Sequence, residues 1–353
     1  MKGDYAAAAD GYKRLTSDKS LRVSAAVGLA EALAAAGRYD DATEALKTVE
    51  ADSADRADWH LAMAETLNIV GRYEDALLRA GAANKLSPAW APTILVRGEI
   101  LETLGRKEEA TAVYKTMDKV LAGQAYRKDA RSLVALGQIL DRYAVLTGRR
   151  ASEQAVNILH NYLQTAYQDV DATYWPANVA AGMFLLSKHK PDGAVMEFHL
   201  ASKLNSRIPG VYVGRGVIDL QNWRLEECIR SADTALKINP NYADALLLKA
   251  TCLMQWQKFD QAPPVLEKVL KINPNHLEAL SLMAAGHVRL GEGDKAQPYI
   301  ERVKKINPRY AELPNSMGQW LSAARQFEQA EKYYKEAIAL SPELAGPVTN
   351  LGL

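Results

Sequence analysis

The stretch KINPNYADAL occupies residues 237–246, KINPNHLEAL occupies residues 271–280, and KINPRYAEL begins at residue 305. Successive copies start 34 residues apart. A phrase that recurs at a fixed interval of about 20 to 50 residues is typical of repeat architectures, in which each unit packs mainly against its neighbours. The repeated phrase therefore decides the class of fold.

Two kinds of turn recur with this period. Prolines mark the first turn, at Pro240, Pro274, Pro308 and Pro342. Proline cannot continue a helix and pushes the preceding residue out of the α region, so a helix is expected to end before each of them. Glycines mark the second turn, at Gly3, Gly37, Gly71 and Gly105. The same position further along the chain holds Gln257, Gly291 and Arg325.

The residues after the second turn have the composition of a helix start. Three positions on, most units carry an acidic residue, which the exposed N–H groups of a first helical turn favour. Five positions on, a small residue recurs, at Ala8, Ala42, Ala76, Ala110, Ala194, Cys228, Ala262, Ala296 and Ala330. Each unit is therefore predicted to be a helix, a glycine turn, a second helix and a proline turn.

The segment MGQWLSAARQFEQAEKYYKEAIALSP, residues 317–342, resembles the tetratricopeptide repeat (TPR) family. It has Gly318 in the first helix, an aromatic residue after the turn, Ala330 and Tyr334 in the second helix, and a closing Pro342. The resemblance extends over nearly the whole chain, as about ten tandem repeats. It implies an all-α fold, a right-handed superhelical α-solenoid of antiparallel helix pairs.

The middle of the chain departs from the period. Gly105 and the next recognisable glycine turn, at Gly148, are 43 residues apart. The helices near residues 128–147 and 152–168 are expected to be longer than usual. We therefore divide the chain into an amino-terminal array (1–122), an irregular TPR-like unit (123–174) and a carboxy-terminal array (175–353). Neither end has a polar capping repeat, so the chain is expected to be a fragment of a longer polypeptide.

Composition argues against several classes of partner. Lys and Arg total 43 and Asp and Glu total 42, whereas nucleic-acid binding needs a clustered basic excess. No apolar run approaches the roughly 20 residues that a membrane span requires. The first residues lack a signal-peptide pattern, which favours a cytoplasmic location.

The sequence also lacks recognisable catalytic or metal-binding motifs. H-E-x-x-H, C-x-x-C and the phosphate-binding G-x-x-x-x-G-K-[ST] are absent, and the histidines show no ligand spacing. Cys228 occupies the small position of its unit and Cys252 lies in the middle of a helix, so both are interpreted as buried free thiols. We predict no catalytic residue, no metal and no cofactor, and the chain is not expected to be an enzyme.

The resemblance implies that the first helices line a concave groove that holds a peptide segment or a partner helix. Four acidic residues follow one stripe of this groove: Glu31, Glu65, Glu99 and Glu102. They would attract a Lys- and Arg-rich segment, although simple duplication of the repeat also accounts for them. Apolar residues occupy the same stripe further on and form a second predicted contact surface, unless the superhelix or a flanking segment covers them: Val179, Met183, Leu186, Val213, Val217, Leu220, Leu247 and Met254.

These features predict a non-catalytic scaffold that binds a protein segment. The Lys and Asn pair with which the family clamps the carboxylates of chaperone tails is absent, so chaperone tails are not expected as partners. An alternative is a recruiting array of a larger enzyme whose catalytic domain lies beyond residue 353. A third possibility is a rod that assembles with itself.

Overall fold

The computed structural model describes residues 3–148, 151–342 and 345–351, which are largely helical and contain no β-strand. Residues 343–344 and 352–353 of the predicted last unit lie outside these ranges. The helices are α1 (Tyr5–Leu15), α2 (Arg22–Ala35), α3 (Tyr39–Lys47), α4 (Ala57–Ile69), α5 (Tyr73–Leu86), α6 (Ala91–Thr103), α7 (Lys107–Lys115), α8 (Met117–Gly123), α9 (Ala130–Leu146), α10 (Ala151–Ile158), α11 (Trp175–Ser187), α12 (Pro191–Leu204), α13 (Pro209–Gln221), α14 (Leu225–Ile238), α15 (Ala243–Gln255), α16 (Ala262–Ile272), α17 (Leu277–Arg289), α18 (Gly293–Ile306), α19 (Glu312–Ala323), α20 (Phe327–Leu340) and α21 (Ala345–Leu351). None of them is long and apolar enough to cross a membrane.

The turn between the two helices of each repeat requires a left-handed residue. Glycine supplies it in the amino-terminal repeats, as at Gly37 with φ +79°. In four later repeats a side-chain-bearing residue takes the same conformation, with φ between 56° and 61°: His189, Trp223, Gln257 and Arg325. The turn therefore keeps its geometry in repeats that lack the glycine, at some cost in backbone strain.

The small position of the second helix is buried in nearly every repeat. Ala42, Ala76, Ala110 and Ala194 are fully buried there, and Ala330 is only 2% exposed. A larger side chain would have to displace backbone or neighbouring side chains in a close-packed interior.

We expect Ala330→Leu to lower the free energy of unfolding by about 1–3 kcal/mol through overpacking. Chemical denaturation followed by circular dichroism measures the change. Glu331→Leu at the neighbouring exposed position is the control and should change stability by less than about 0.5 kcal/mol. Equal stability of the two variants would contradict the close packing assigned to Ala330.

The irregular unit contains the long helices expected from the sequence. Helix α9 has 17 residues, and α10 continues as π-helix over Leu159–Gln164 and Ala166–Val170. A π-helical turn holds more residues than an α-helical turn and so rotates the following side chains around the helix axis. This unit therefore joins the two regular arrays with a different local geometry.

Cys228 of α14 and Cys252 of α15 form a disulfide, so the prediction of free thiols is wrong. The small position of α14 faces the first helix of the next repeat, which brings the two Cα atoms to 6.6 Å. This separation is within the range that a disulfide spans. Both residues are fully buried, as the sequence predicted.

The solenoid coils until each repeat meets the repeat five units further along. The hydroxyl of Tyr39, after the second glycine turn, donates to the carbonyl of Asn241, which follows the seventh repeat, at 3.2 Å. Asn241 Nδ2 donates back to the Gly37 carbonyl at 2.8 Å. We call this line of contacts the seam, and it joins residues 3–5, 37–39, 71–73 and 105–109 to residues 205–207, 239–241, 273–275 and 307–309.

Similar polar contacts recur along the seam every 34 residues. Tyr5 donates to the Arg207 carbonyl at 2.9 Å, and Tyr73 donates to the Asn275 carbonyl at 3.1 Å. The fourth contact has no tyrosine, and Arg309 pairs there with Glu108 at 3.2 Å. Asn239, Asn273 and Asn307 are buried at the seam, which explains why the opening phrase keeps its asparagine.

Candidate functional site: the concave groove

The first helices of successive repeats line the inner face of the coil. Three open cavities lie along this groove. The first has a volume of about 520 Å³ and is bounded by α2, α4, α6 and α9. The second, about 570 Å³, lies inside the seam, and the third, about 380 Å³, lies between α15, α17 and α19.

The first cavity contains the predicted acidic stripe, and the chain supplies its counter-charges. Arg131 of α9 lies 3.3 Å from Glu31 and 3.1 Å from Glu65. Arg142, on the same helix, lies 2.8 Å from Glu99 and 3.3 Å from Glu102. All four acidic residues are thus brought together, each with an arginine of the irregular unit.

The pKa values show how strongly these groups interact. Loss of hydration raises the pKa of Glu65 and of Glu99, and the arginines partly offset this rise. Burial alone would lower the pKa of Arg142, but the carboxylates of Glu99 and Glu102 hold it above its ordinary value. The Tyr114 hydroxyl also donates to Glu102. Glu99, Glu102, Arg142 and Tyr114 therefore form one coupled polar cluster in the groove wall.

Comparison with known families decides the assignment. Three sequence profiles described as tetratricopeptide repeat match residues 1–65, 243–276 and 315–348. The chain is a tetratricopeptide repeat protein. A comparison with curated protein sequences finds no match to it.

Solved structures agree with this TPR assignment at the level of fold. The chain is similar to a crystal structure of the APC/C hetero-tetramer Cut9–Hcn1, with a TM-score of 0.58 and 14% identity over 98% of this chain. It spans 66% of the length of that chain. Yeast Tom70 matches with a TM-score of 0.45 and 17% identity, over 94% of this chain and 80% of its own. The tandem helix pairs and the similarity to the Cut9–Hcn1 structure assign this TPR protein the fold of a right-handed superhelical α-solenoid.

The predicted apolar stripe lies largely within the packing between repeats. Leu186, Val213, Leu247 and Met254 are buried in the hydrophobic core. Val179, Val217 and Leu220 are half-buried, and Met183 alone among the eight is exposed, at 40%. Of the predicted stripe, Met183 and its half-buried neighbours thus remain accessible to solvent.

A second acidic stripe lies in the carboxy-terminal half of the TPR array, and the sequence analysis did not single it out. Asp244, Glu278 and Glu312 occupy the first turns of α15, α17 and α19 at intervals of 34 residues. Each is the acidic residue of one copy of the repeated phrase, in YADAL, HLEAL and YAEL respectively. We call these three residues the acid row.

The acid row has no lysine or arginine paired with it among the described residues. Restricted hydration, together with the carboxylates of Asp244 and Glu312, raises the pKa of Glu278 to about 7. His276 does not neutralise the row, because burial lowers its pKa to about 4 and leaves the imidazole uncharged at neutral pH. Among the described residues, no group of three or more His, Cys, Asp or Glu side chains could hold a metal ion.

Proposed function

We propose that this TPR protein is an interaction scaffold that holds a segment of a partner protein in its concave groove. The observation that carries the proposal is the run of three solvent-accessible cavities along the inner face of the coil. Repeat proteins use such extended concave surfaces for binding. A polypeptide segment can contact several repeats at once, because each repeat presents its first helix to the groove.

The rigidity of the groove wall supports this proposal. Arg131 and Arg142 fix α9 against α2, α4 and α6, and the seam fixes successive coils against each other. A preformed surface lowers the entropy cost of binding, since fewer side chains must become ordered. In this proposal Glu31, Glu65, Glu99 and Glu102 form a polar wall with their arginines.

The apolar stripe contributes contacts in the middle of the groove. Met183 is exposed there, and Val179, Val217 and Leu220 are half-buried beside it or in the next repeat. An exposed methionine suits a contact surface that adapts to a partner, because its side chain is flexible and polarisable. The buried members of the stripe, Leu186, Val213, Leu247 and Met254, would hold this surface in place by packing in the core behind it.

Selection of a displayed random-peptide library against the purified chain tests the proposal. Selected peptides are then measured against Gln319→Trp, which places a large ring in the third cavity, and Met183→Asp, which puts a charge on the apolar stripe. Glu267→Trp, on the exposed face of α16, is the matched control. We expect one or both groove variants to weaken each selected peptide at least about tenfold, a loss of about 1.4 kcal/mol, and the control to leave binding unchanged.

Selected peptides that bind both groove variants as tightly as the original chain would contradict the groove proposal, whether or not they lose affinity for Glu267→Trp. The same conclusion follows if the library yields no binder. Thermal melting of all three variants verifies that each retains its helices.

A further inference from the structure

The acid row differs from the first acidic stripe in having no counter-charge among the described residues. Asp244, Glu278 and Glu312 make no ion pair among the described residues, whereas the four glutamates of the first stripe share two arginines. The second and third cavities meet at this row, because Glu278 and Tyr310 line both. No lysine or arginine occurs among the described residues that line these two cavities.

Two buried side chains beside the acid row also lack partners. Asn315 is 5% exposed, and its Oδ1 accepts no hydrogen bond, while its Nδ2 donates to Glu312 at 2.7 Å. Trp320 is 4% exposed, and its Nε1–H makes no hydrogen bond. Both residues line the third cavity. Buried polar atoms without partners are costly in a folded protein, so a polar group that enters this part of the groove would find hydrogen-bonding capacity there.

The chain itself shows which group satisfies such a row. In the groove wall Arg131 lies between Glu31 and Glu65 of successive repeats, and Arg142 lies between Glu99 and Glu102 of one helix, at distances of 2.8–3.3 Å. Arginine suits this role because its planar group carries five donors and stays charged at any physiological pH. The acid row presents the same spacing of carboxylates, one per repeat, without the arginines.

We propose that the acid row of Asp244, Glu278 and Glu312 binds arginine side chains of an extended partner segment. This inference rests on the proposed function, and it adds the chemistry of the partner. Tyr242 and Tyr310 line the second cavity beside the row, and aromatic rings favour nearby guanidinium groups. The backbone of the segment also carries a donor and an acceptor for the polar side chains of the third cavity, among them Asn315.

The spacing of the row sets the spacing of the arginines. Packed helices lie about 8–10 Å apart, and an extended segment in the polyproline II conformation advances about 3.1 Å per residue with three residues per turn, which keeps every third side chain on one face. Arginines three residues apart on an extended segment therefore match successive repeats. The pattern is Arg-x-x-Arg-x-x-Arg, with the intervening residues free to vary.

A labelled peptide, Arg-Gly-Ser-Arg-Gly-Ser-Arg, tests the proposal by fluorescence anisotropy with the whole chain. We expect binding, and a loss of about 10- to 100-fold when Glu278→Gln and Glu312→Gln are combined. A peptide with citrulline in place of arginine keeps the shape but not the charge, and should lose as much. A peptide with its three arginines adjacent should bind at least about threefold more weakly.

The matched control removes two carboxylates from the second helices, with Glu267→Gln and Glu301→Gln combined, and should retain binding. The acid-row variant should melt no lower than the original chain, because it removes repulsion between like charges. Equal affinity of the two double variants for the peptide would overturn the acid-row proposal, and so would absence of binding to the original chain.

Library selection separates this inference from the proposed function. Selected peptides that lose affinity for the groove variants and carry spaced arginines support both the scaffold proposal and the acid-row proposal. If peptides that require the groove lack basic residues, the acid-row proposal fails and the scaffold proposal stands. If no selected peptide requires the groove, both fail.

Discussion

Replacing Asn239, Asn273 and Asn307 together with alanine is expected to open the seam and to lower the free energy of unfolding by about 3–6 kcal/mol. Each asparagine is buried and makes two kinds of hydrogen bond. Its Oδ1 accepts from the backbone two residues on, and its Nδ2 donates across the seam, as Asn273 does to the Tyr73 hydroxyl at 3.1 Å. Loss of a buried hydrogen-bonding side chain costs about 1–2 kcal/mol per site, and the sites are separate enough to add.

Small-angle scattering and chemical denaturation together measure this effect. We expect a larger radius of gyration for the triple variant with its helical content retained, because the helix pairs do not depend on the seam. A control triple variant, Asn157→Ala, Asn161→Ala and Asn222→Ala, removes exposed asparagines away from the seam and should change neither quantity. An unchanged radius in the seam variant would contradict the closed coil.

A second seam variant isolates the contact across the coil from the local turn. Tyr39→Phe combined with Tyr73→Phe removes two hydroxyl donors and leaves the asparagine turns intact. The expected loss is about 0.5–1.5 kcal/mol per hydroxyl. A similar loss in Tyr12→Phe, whose ring packs against the glycine of α2 away from the seam, would mean that the hydroxyls act through general packing rather than through the seam.

Arg142→Ala is expected to lower the free energy of unfolding by about 2–4 kcal/mol at pH 7. The substitution leaves Glu99 and Glu102 facing each other in the groove wall, with side chains only 30% and 26% exposed. An ionic group that loses its counter-charge in a partly enclosed site retains the desolvation cost without the attraction. The value is below that of a fully buried pair because water reaches both carboxylates.

Removal of the charges that Arg142 balances should reverse most of this loss. Combining Arg142→Ala with Glu99→Gln and Glu102→Gln is expected to recover at least half of the stability, measured by denaturant unfolding. Arg230→Ala is the control, because its pairs with Glu226 and Glu227 are exposed and worth less than about 1 kcal/mol. If Arg142→Ala were as mild as Arg230→Ala, the coupled cluster would have no structural role.

The sequence predicted the fold from its 34-residue period, because proline and glycine place both turns of every repeat. It also placed Glu31, Glu65 and Glu99 on one stripe, since one residue per repeat at equal intervals shares one face. The two arginines that meet this stripe lie in the irregular unit, outside the 34-residue period. The sequence analysis did not single them out, although their separation of 11 residues is close to three helical turns and could have placed Arg131 and Arg142 on one face of α9.

The seam could not be derived from the repeat pattern alone. It depends on the small rotation between successive repeats, which accumulates over five units before two coils meet. The sequence nevertheless contained a sign of the seam, because the turn residues of the first half of the chain differ from those of the second half. The tyrosine hydroxyl occurs after the glycine turn in the first half, and the Asn-Pro turn occurs in the second half, whereas Phe327 at the tyrosine position of the last repeat is 64% exposed.

The acid row was overlooked because each acidic residue had a sufficient local explanation. Asp244, Glu278 and Glu312 stand in the first turn of a helix, where an acidic side chain is favoured by the macrodipole. A helix-start preference and a binding surface shared by successive repeats would both place acidic residues at these positions. The sequence pattern alone therefore does not distinguish the two explanations. Only the packing around the groove reveals that these carboxylates lack a counter-charge.

The closed seam would affect the rate at which a bound partner segment leaves the groove. Because successive coils are joined along their edges, a segment that occupied the groove as we propose could not leave sideways while the seam is intact. Its escape is limited by sliding lengthwise toward an end of the coil or by local opening of the seam, and both are slower than desorption from an open surface. A long segment would therefore remain bound for longer than a short one with the same contacts, and weakening the seam would shorten its residence time.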